Sequence, residues 1–212
     1  MRKHNAPAQQ AFALDKGELP WLLTAALTTA VPHVGHLPLW LSLLTGMVLL
    51  WRLWLWRQGG ALPARWLLTL LALAGVAGIA WEYRTLFGRD SGVARLVFFM
   101  ALKPMEMRTR RDSIVIIMLG FFLLLTHYFY SQSIPTGLWL LVTTTVLIAT
   151  LIRLHGDAQP LRAILRHAGL LLAQSVPFML IIFLLFPRIQ GPLWGLPQDA
   201  YSGLSGLSDR MS

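Results

Sequence analysis

The sequence contains no cysteine, so disulfide bonds, thiolate nucleophiles and cysteine-based metal sites are all excluded. Charge is also scarce: only 13% of the 212 residues are charged, whereas 56% are hydrophobic. A soluble domain of this size needs more charge to cover its surface, so the bilayer is the natural solvent. The net charge of +9 does not indicate a nucleic-acid partner, because the cations fall in short loops between apolar runs.

Seven apolar segments alternate with short polar loops. Because no isolated strand satisfies its backbone hydrogen bonds in lipid, each segment is predicted to be a helix. The sequence therefore predicts an all-α, polytopic membrane helix bundle with about six to seven spans, over residues 1–186. A span needs about 20 residues, so the first and third segments are short and the fourth is marginal. The segments are Leu19–Val34, Leu37–Trp56, Trp66–Trp81, Ser91–Leu102, Ile114–Tyr130, Thr136–Ile152 and Gly169–Phe186.

The distribution of Lys and Arg over the loops predicts the orientation of the chain. If the fourth segment crosses the bilayer, 13 of the 18 Lys and Arg residues fall on one side. By the positive-inside rule that side is the cytoplasm, with the N-terminus inside and the C-terminus outside. A re-entrant fourth segment is the alternative. The basic loop that we expect to determine topology contains Lys103, Arg108, Arg110 and Arg111.

A few polar residues in or beside the apolar segments are candidates for chemistry. His33 and His36 have a spacing that could hold a metal ion, but Pro32 and Gly35 favour a polar turn between two helices. Arg52 lies about one turn inside its apolar run, so we expect its side chain to snorkel toward the headgroups. A gating or transport role for Arg52 is the alternative.

Other local patterns predict packing rather than catalysis. Glu106 and Arg110 are spaced i,i+4 and are expected to pair, and Ala74 and Gly78 form a small-xxx-small pair that favours close helix packing. Pro177 predicts a kinked helix, with use of the kink as a substrate site as the alternative. The sequence contains no nucleophile elbow, Walker loop or dinucleotide fingerprint. We therefore predict no catalytic residue, no cofactor and no metal site.

Three stretches resemble the N-terminal membrane region of TgpA-type bacterial transglutaminase-like proteins. They are ALKPMEMRTRRDS at 101–113 with GFFLLLTHYFYSQS at 120–133, the sixth apolar segment with the loop RLHG at 153–156, and FPRIQGPLWGLPQD at 186–199 continuing to GLSDRMS at 206–212. The third stretch is the most specific. Its motif residues are Pro187, Arg188, Gly191, Pro192, Trp194, Gly195, Pro197 and Asp209.

The resemblance implies a multi-pass protein of the bacterial inner membrane, with the helices leading into a periplasmic domain that carries a Cys-His-Asp triad. Residues 187–212, rich in Pro and Gly, are expected to form a stalk toward that domain. The chain ends at Ser212, about where the domain would begin, and it has no cysteine. We therefore expect a membrane anchor and scaffold rather than an enzyme, from a parent that would resemble a protein-glutamine gamma-glutamyltransferase or a cysteine-protease-like protein.

The expected partners are the lipid bilayer, a transglutaminase-like domain in cis and envelope proteins, with no nucleic acid. The alternative function is a small membrane transporter or channel subunit. That alternative requires polar groups along a pore, for which Arg52, Gln174 and Glu106 are the candidates. It is weakened because the centres of the apolar segments carry no acidic residue and no inverted repeat is visible.

Overall fold

The computed structural model describes residues 17–85, 88–156 and 159–186, which form helices joined by short turns. No strand occurs in these ranges, and the all-α prediction is confirmed. The predicted stalk at 187–212, with all the motif residues named above, lies outside the described residues. The helices are α1 (Glu18–Ala30), α2 (Leu39–Gln58), α3 (Arg65–Tyr83), α4 (Arg89–Glu106), α5 (Arg110–His127), α6 (Ile134–His155) and α7 (Leu161–Leu185), and a 3-10 helix (Val31–His36) links α1 to α2.

Short polar motifs set where several helices begin and end. The Thr109 hydroxyl accepts from the Asp112 amide at 3.3 Å, while the Asp112 carboxylate accepts from the Thr109 amide at 2.9 Å. This reciprocal capping box starts α5, because it satisfies backbone donors that the first helical turn leaves unpaired. Ser133 caps α6 in a similar way. Gly59 ends α2 in the left-handed conformation, with φ of 66°, which a residue with a Cβ rarely adopts.

The fourth helix is the centre of the bundle. It packs against α1, α2, α3 and α5, and Phe98, Met100 and Met105 are fully buried in that contact. Its low apolarity follows from this position, since a helix surrounded by other helices need not present a hydrophobic surface to lipid. It is continuous over 18 residues, and Pro104 falls only in its last turn.

The turns of the bundle gather at two opposite ends. At one end, which we call the histidine end, the 3-10 helix meets the start of α4 and the turn after α5: His36 stacks on Tyr130, and Tyr130 donates to Asp90. At the other end, the basic end, the last turn of α4 meets the first turns of α3 and α5. The fourth helix therefore runs the whole distance between the two ends, antiparallel to α3 and α5.

Small residues of α3 permit the closest helix contacts. A Cβ added at Gly75 would overlap the ring of Phe98 on α4, and one added at Gly78 would lie 3.0 Å from the ring of Trp40. The predicted packing pair is therefore only half right, because Gly78 makes a close contact whereas Ala74 is exposed. Such contacts matter in lipid, where helices associate by packing rather than by the hydrophobic effect.

Within the described ranges, four helices are long and apolar enough to cross a membrane, namely α2, α3, α6 and α7. Large apolar side chains are exposed along their surfaces, in a pattern that water would disfavour and lipid accepts. The chain divides after Leu172 into two compact units. The first contains α1 to α6 and the beginning of α7. In the second, the described residues continue α7 through Pro177 to Leu185.

Candidate functional site

The histidine end brings together several titratable side chains from different helices. We call this group the histidine cluster; its members come from the 3-10 helix, from the start of α4 and from the end of α5 with the turn that follows it. Sequence reasoning singled out only the two histidines of the 3-10 helix. The cluster consists of His33, His36, Asp90, His127 and Tyr130.

His33 is the buried centre of the cluster, with none of its surface exposed. Its Nδ1 lies 3.1 Å from the Thr29 carbonyl oxygen and its Nε2 lies 3.2 Å from the Thr126 hydroxyl. The ring of His127 meets it edge-on, with the ring centres 5.4 Å apart. Two imidazoles that are 94 residues apart in the sequence are thus neighbours in a dry environment.

Tyr130 links the histidines to charged groups of α4. Its ring stacks on His36 at 4.3 Å between centres, and its hydroxyl donates to the Asp90 carboxylate at 2.9 Å. Arg89 contacts both of these residues: its guanidinium lies 5.1 Å from the Tyr130 ring centre and its Nε lies 3.2 Å from the Asp90 carboxylate. The hydrogen bond from Tyr130, followed by the contact with Arg89, holds the pKa of Asp90 below its ordinary 3.8.

His33 and His36 have the spacing of candidate metal ligands in the sequence. In the ranges 17–85, 88–156 and 159–186, no three His, Cys, Asp or Glu side chains converge as metal ligands would. His33 and His36 belong to the 3-10 helix, as the turn prediction has it, and their rings face Thr29 and Tyr130 respectively.

The basic end is a polar cleft of about 310 Å³ between the first turns of α3 and α5 and the last turn of α4. Lys103 lies 3.2 Å from Glu106 and 3.8 Å from Asp112, so it joins the two helices. The predicted pair between Glu106 and Arg110 is wrong, because α4 ends at Glu106 and the i,i+4 spacing does not run through one helix. Arg65 lines the same cleft.

The four residues that the sequence predicts to determine topology all fall at this end. Lys103 is half-buried in its ion pairs, whereas Arg108, Arg110 and Arg111 are exposed around the turn between α4 and α5. Asp112 lies just before the apolar segment of α5. Burial raises the pKa of Asp112, but hydrogen bonds from the preceding turn and the nearby ammonium outweigh that effect and keep the pKa below 3.8.

Arg52 does not snorkel, and this expectation is wrong. Its side chain is only 6% exposed, and its Nε donates to the Pro104 carbonyl oxygen at 2.9 Å. That carbonyl belongs to the last turn of α4, where helix carbonyls lack intrahelical partners and the helix dipole favours a cation. Arg52 therefore caps a neighbouring helix. A pairing across 52 residues leaves no signal in the sequence.

Comparison with known proteins gives a single consistent result. The chain matches the family model for the TgpA N-terminal domain over residues 21–212. It is 38% identical over 202 residues to a protein-glutamine gamma-glutamyltransferase of Pseudomonas aeruginosa, an alignment that covers 94% of this chain and 30% of that protein. The chain thus spans less than a third of the length of this relative. No solved structure matches it significantly.

Proposed function

Because the chain belongs to the TgpA N-terminal domain family, we propose that it is the membrane anchor and scaffold of a transglutaminase-like protein. In this proposal it lies in the bacterial inner membrane and positions a periplasmic catalytic domain in cis. The relative's name supports the chemistry of that domain, since it is a protein-glutamine gamma-glutamyltransferase. The length of that relative not covered by the chain leaves room for a separate catalytic domain. Envelope proteins are the proposed further partners.

One observation carries the proposed orientation: the charge is divided between the two ends of the bundle. The turns at the basic end hold Arg57, Arg65 and the four topology-determining cations, whereas the histidine end holds Arg84 and an Arg89 that is paired with Asp90. Positive charge is retained on the cytoplasmic side of membrane proteins, so the basic end is proposed to face the cytoplasm.

The same arrangement favours crossing by α1 to α6. Successive helices of the first unit alternate in direction between the two ends. Each of them therefore crosses a bilayer whose plane is perpendicular to the helix axes. At about 1.5 Å per residue, α4 is roughly 27 Å long, close to the hydrocarbon thickness of about 30 Å. The shortest helix, α1, is extended by the 3-10 helix. Together with α7 this gives seven crossings, with the N-terminus in the cytoplasm and the C-terminus in the periplasm.

Two of the three candidate residues of the transporter alternative make contacts in this structure that a helix bundle needs. Arg52 contacts a backbone carbonyl inside the bundle, and its contact is that of a helix cap. Glu106 is ion-paired with Lys103 at the surface of the basic end. These contacts give both residues structural roles and support the anchor proposal.

Reporter fusions test the orientation. Alkaline phosphatase fused after Ser212 should be active and green fluorescent protein at the same position dark, while the reverse holds for fusions in the turn at residues 59–64. Phosphatase activity at 59–64 and fluorescence after Ser212 would refute the proposed orientation.

A charge-removal variant tests the cause of that orientation. Neutralising the basic turn should produce a mixed or inverted topology, because the bias that retains this end in the cytoplasm is weakened. A double Arg84→Gln, Arg95→Gln variant serves as the control and should keep the wild-type reporter pattern. The basic-turn variant carries Gln at Lys103, Arg108, Arg110 and Arg111.

A further inference from the structure

The buried hydrogen bonds around His33 are satisfied by a neutral ring. Its Nδ1 faces the Thr29 carbonyl, which only accepts, so Nδ1 carries a proton and Nε2 of the neutral ring is an acceptor. The Thr126 hydroxyl lies 3.2 Å from that Nε2 and 2.8 Å from the Leu123 carbonyl, and it has one proton to donate. Because the Leu123 carbonyl lies within α5, where a backbone amide of the helix also donates to it, the hydroxyl can donate to Nε2. A second proton on the His33 ring would remove that acceptor and place a charge on a side chain with no exposed surface.

The second buried imidazole of the cluster is that of His127. His127 is 8% exposed, and its buried Nδ1 has no hydrogen-bond partner among the described residues. Its ring lies against that of His33. Burial lowers the pKa of both imidazoles, that of His33 to about 4, and two neighbouring rings repel when both are charged, so each proton that the pair binds is costly.

The charges that face the pair do not offset further protonation. The start of α4 supplies Asp90 and Arg89, which are paired with each other at 3.2 Å. The end of α3 supplies Tyr83 and Glu82, and Glu82 accepts from Trp40 at 3.4 Å. The 3-10 helix supplies His36, and Tyr130 follows α5. In the described parts of α1, α2, α6 and α7, the titratable residues do not lie at the histidine end.

A simple charge count follows from these groups. With neutral imidazoles the cluster and Arg89 have no net charge, since the only carboxylate of the cluster is balanced by the guanidinium. Each protonated histidine then adds one positive charge that no second carboxylate of the cluster meets. Protonated His33 and His127 would therefore be two buried positive charges between the 3-10 helix and the end of α5. Buried unpaired charges are strongly destabilising.

We propose that the histidine cluster is a proton-binding site that acts as an acid-opened latch between the 3-10 helix and the ends of α4 and α5. At neutral pH the His33 ring and the stacked pair of His36 and Tyr130 hold the 3-10 helix closed. As the pH falls below about 6.5, the ordinary range for an imidazole in water, protonation favours the opened 3-10 helix, in which the buried rings reach water. The latch does not depend on the anchor role, which determines only the side of the membrane on which the cluster lies.

The lack of cysteine makes the opening measurable, because one introduced thiol is the only thiol in the chain. Leu37→Cys places it beside the 3-10 helix at a position that is 8% exposed, and Val34→Cys places it at one that is 48% exposed. Each variant of the whole chain is put into lipid nanodiscs and treated with a water-soluble disulfide reagent at pH 7.5 and pH 5. The ratio of the two labelling rates removes the pH dependence of the thiol reaction itself.

The ratio of the Leu37→Cys rate to the Val34→Cys rate should rise on the order of tenfold at pH 5, the change that one unit of differential pKa produces. A double His36→Gln, His127→Gln background should keep it flat. His155→Gln, which changes an exposed histidine at the far end of α6, should leave the rise intact. If the double variant does not fold, the exposed His36→Gln alone should reduce the rise.

Three results would overturn the latch. The first is a wild-type ratio that stays flat between the two pH values. The second is a rise that is unchanged in the double His36→Gln, His127→Gln variant. If that variant does not fold, an unchanged rise in His36→Gln alone counts in the same way. The third is a rise that His155→Gln abolishes, since that would place the titrating group elsewhere. None of these readouts depends on the direction in which the chain crosses the membrane, so the latch and the proposed function fail separately.

Discussion

The contact between Gly75 and Phe98 gives the most demanding prediction about the bundle. Gly75→Ala adds one methyl group in the middle of α3, where the new Cβ would overlap the ring of Phe98. That ring is fully buried on α4, so it cannot rotate into open space. The helices must therefore separate at the centre of the bundle, or the ring must leave its preferred rotamer.

The magnitude is the balance of two effects. Overpacking of a tight core costs about 1–3 kcal/mol, whereas replacing Gly by Ala inside a helix gains roughly 1 kcal/mol in propensity. Gly75→Ala should therefore lose up to about 2 kcal/mol of stability. Gly46→Ala is the matched control, because nothing lies within 4 Å of its added Cβ and only the gain remains. At roughly 2–4 °C per kcal/mol, the two melting temperatures should move in opposite directions.

Intrinsic fluorescence of the nine tryptophans reports the melt in detergent or nanodiscs. A double-mutant cycle with Phe98→Leu then isolates the contact, because the smaller side chain makes room for the methyl group. Gly75→Ala should cost less in the Phe98→Leu background than in the wild type. The reasoning is refuted if Gly75→Ala melts at or above the wild-type temperature, or if the cycle shows no coupling.

Two further predictions concern the helix ends. Arg52→Met should lower the free energy of unfolding by about 1–3 kcal/mol, because the Pro104 carbonyl loses its donor in a buried site. Arg57→Met, at the exposed end of α2, is the control and should change stability little. Equal melting temperatures for the two variants would contradict the cap. Asp112→Asn should cost about 1 kcal/mol at pH 7 through the capping box. The pKa of Asp112 is lowered by folding, so its contribution is present above the unfolded value and lost as pH falls through the folded one. The gap between wild type and variant in chemical denaturation should therefore close below about pH 3.8, and a constant gap would exclude the carboxylate as its source.

Local sequence information was sufficient for the helices. Each of the seven apolar segments corresponds to one helix, because length and apolarity act within about 20 neighbouring residues. The last helix begins eight residues before its predicted segment, since Arg162 and Arg166 interrupt the apolar run without breaking the helix. The turn at Pro32 and Gly35 was also visible, because both residues restrict the backbone locally.

Pairings between distant residues were not visible in the sequence. The sequence predicts Arg52 as an interfacial cation, because its hydrogen bond to the Pro104 carbonyl of α4 is not visible in the sequence. The sequence also pairs Glu106 with Arg110, because it does not show that α4 ends at Glu106. The sequence predicted only part of the histidine cluster. His33 and His36 are near in sequence, whereas His127 contacts His33 only because α1 packs against α5.

The sequence by itself determined the suitability of the apolar segments for a lipid bilayer, the helical class and the clustering of positive charge. Each of these follows from composition and from the spacing of like residues along one chain. Only the tertiary structure decided which polar groups are buried and which partners they meet. Hydrogen bonds such as that between His33 and Thr126, which joins residues 93 positions apart, depend on how helices pack. In a bundle whose helices associate through close contacts, a glycine, a proline carbonyl or a histidine ring acquires its role from the neighbouring helix.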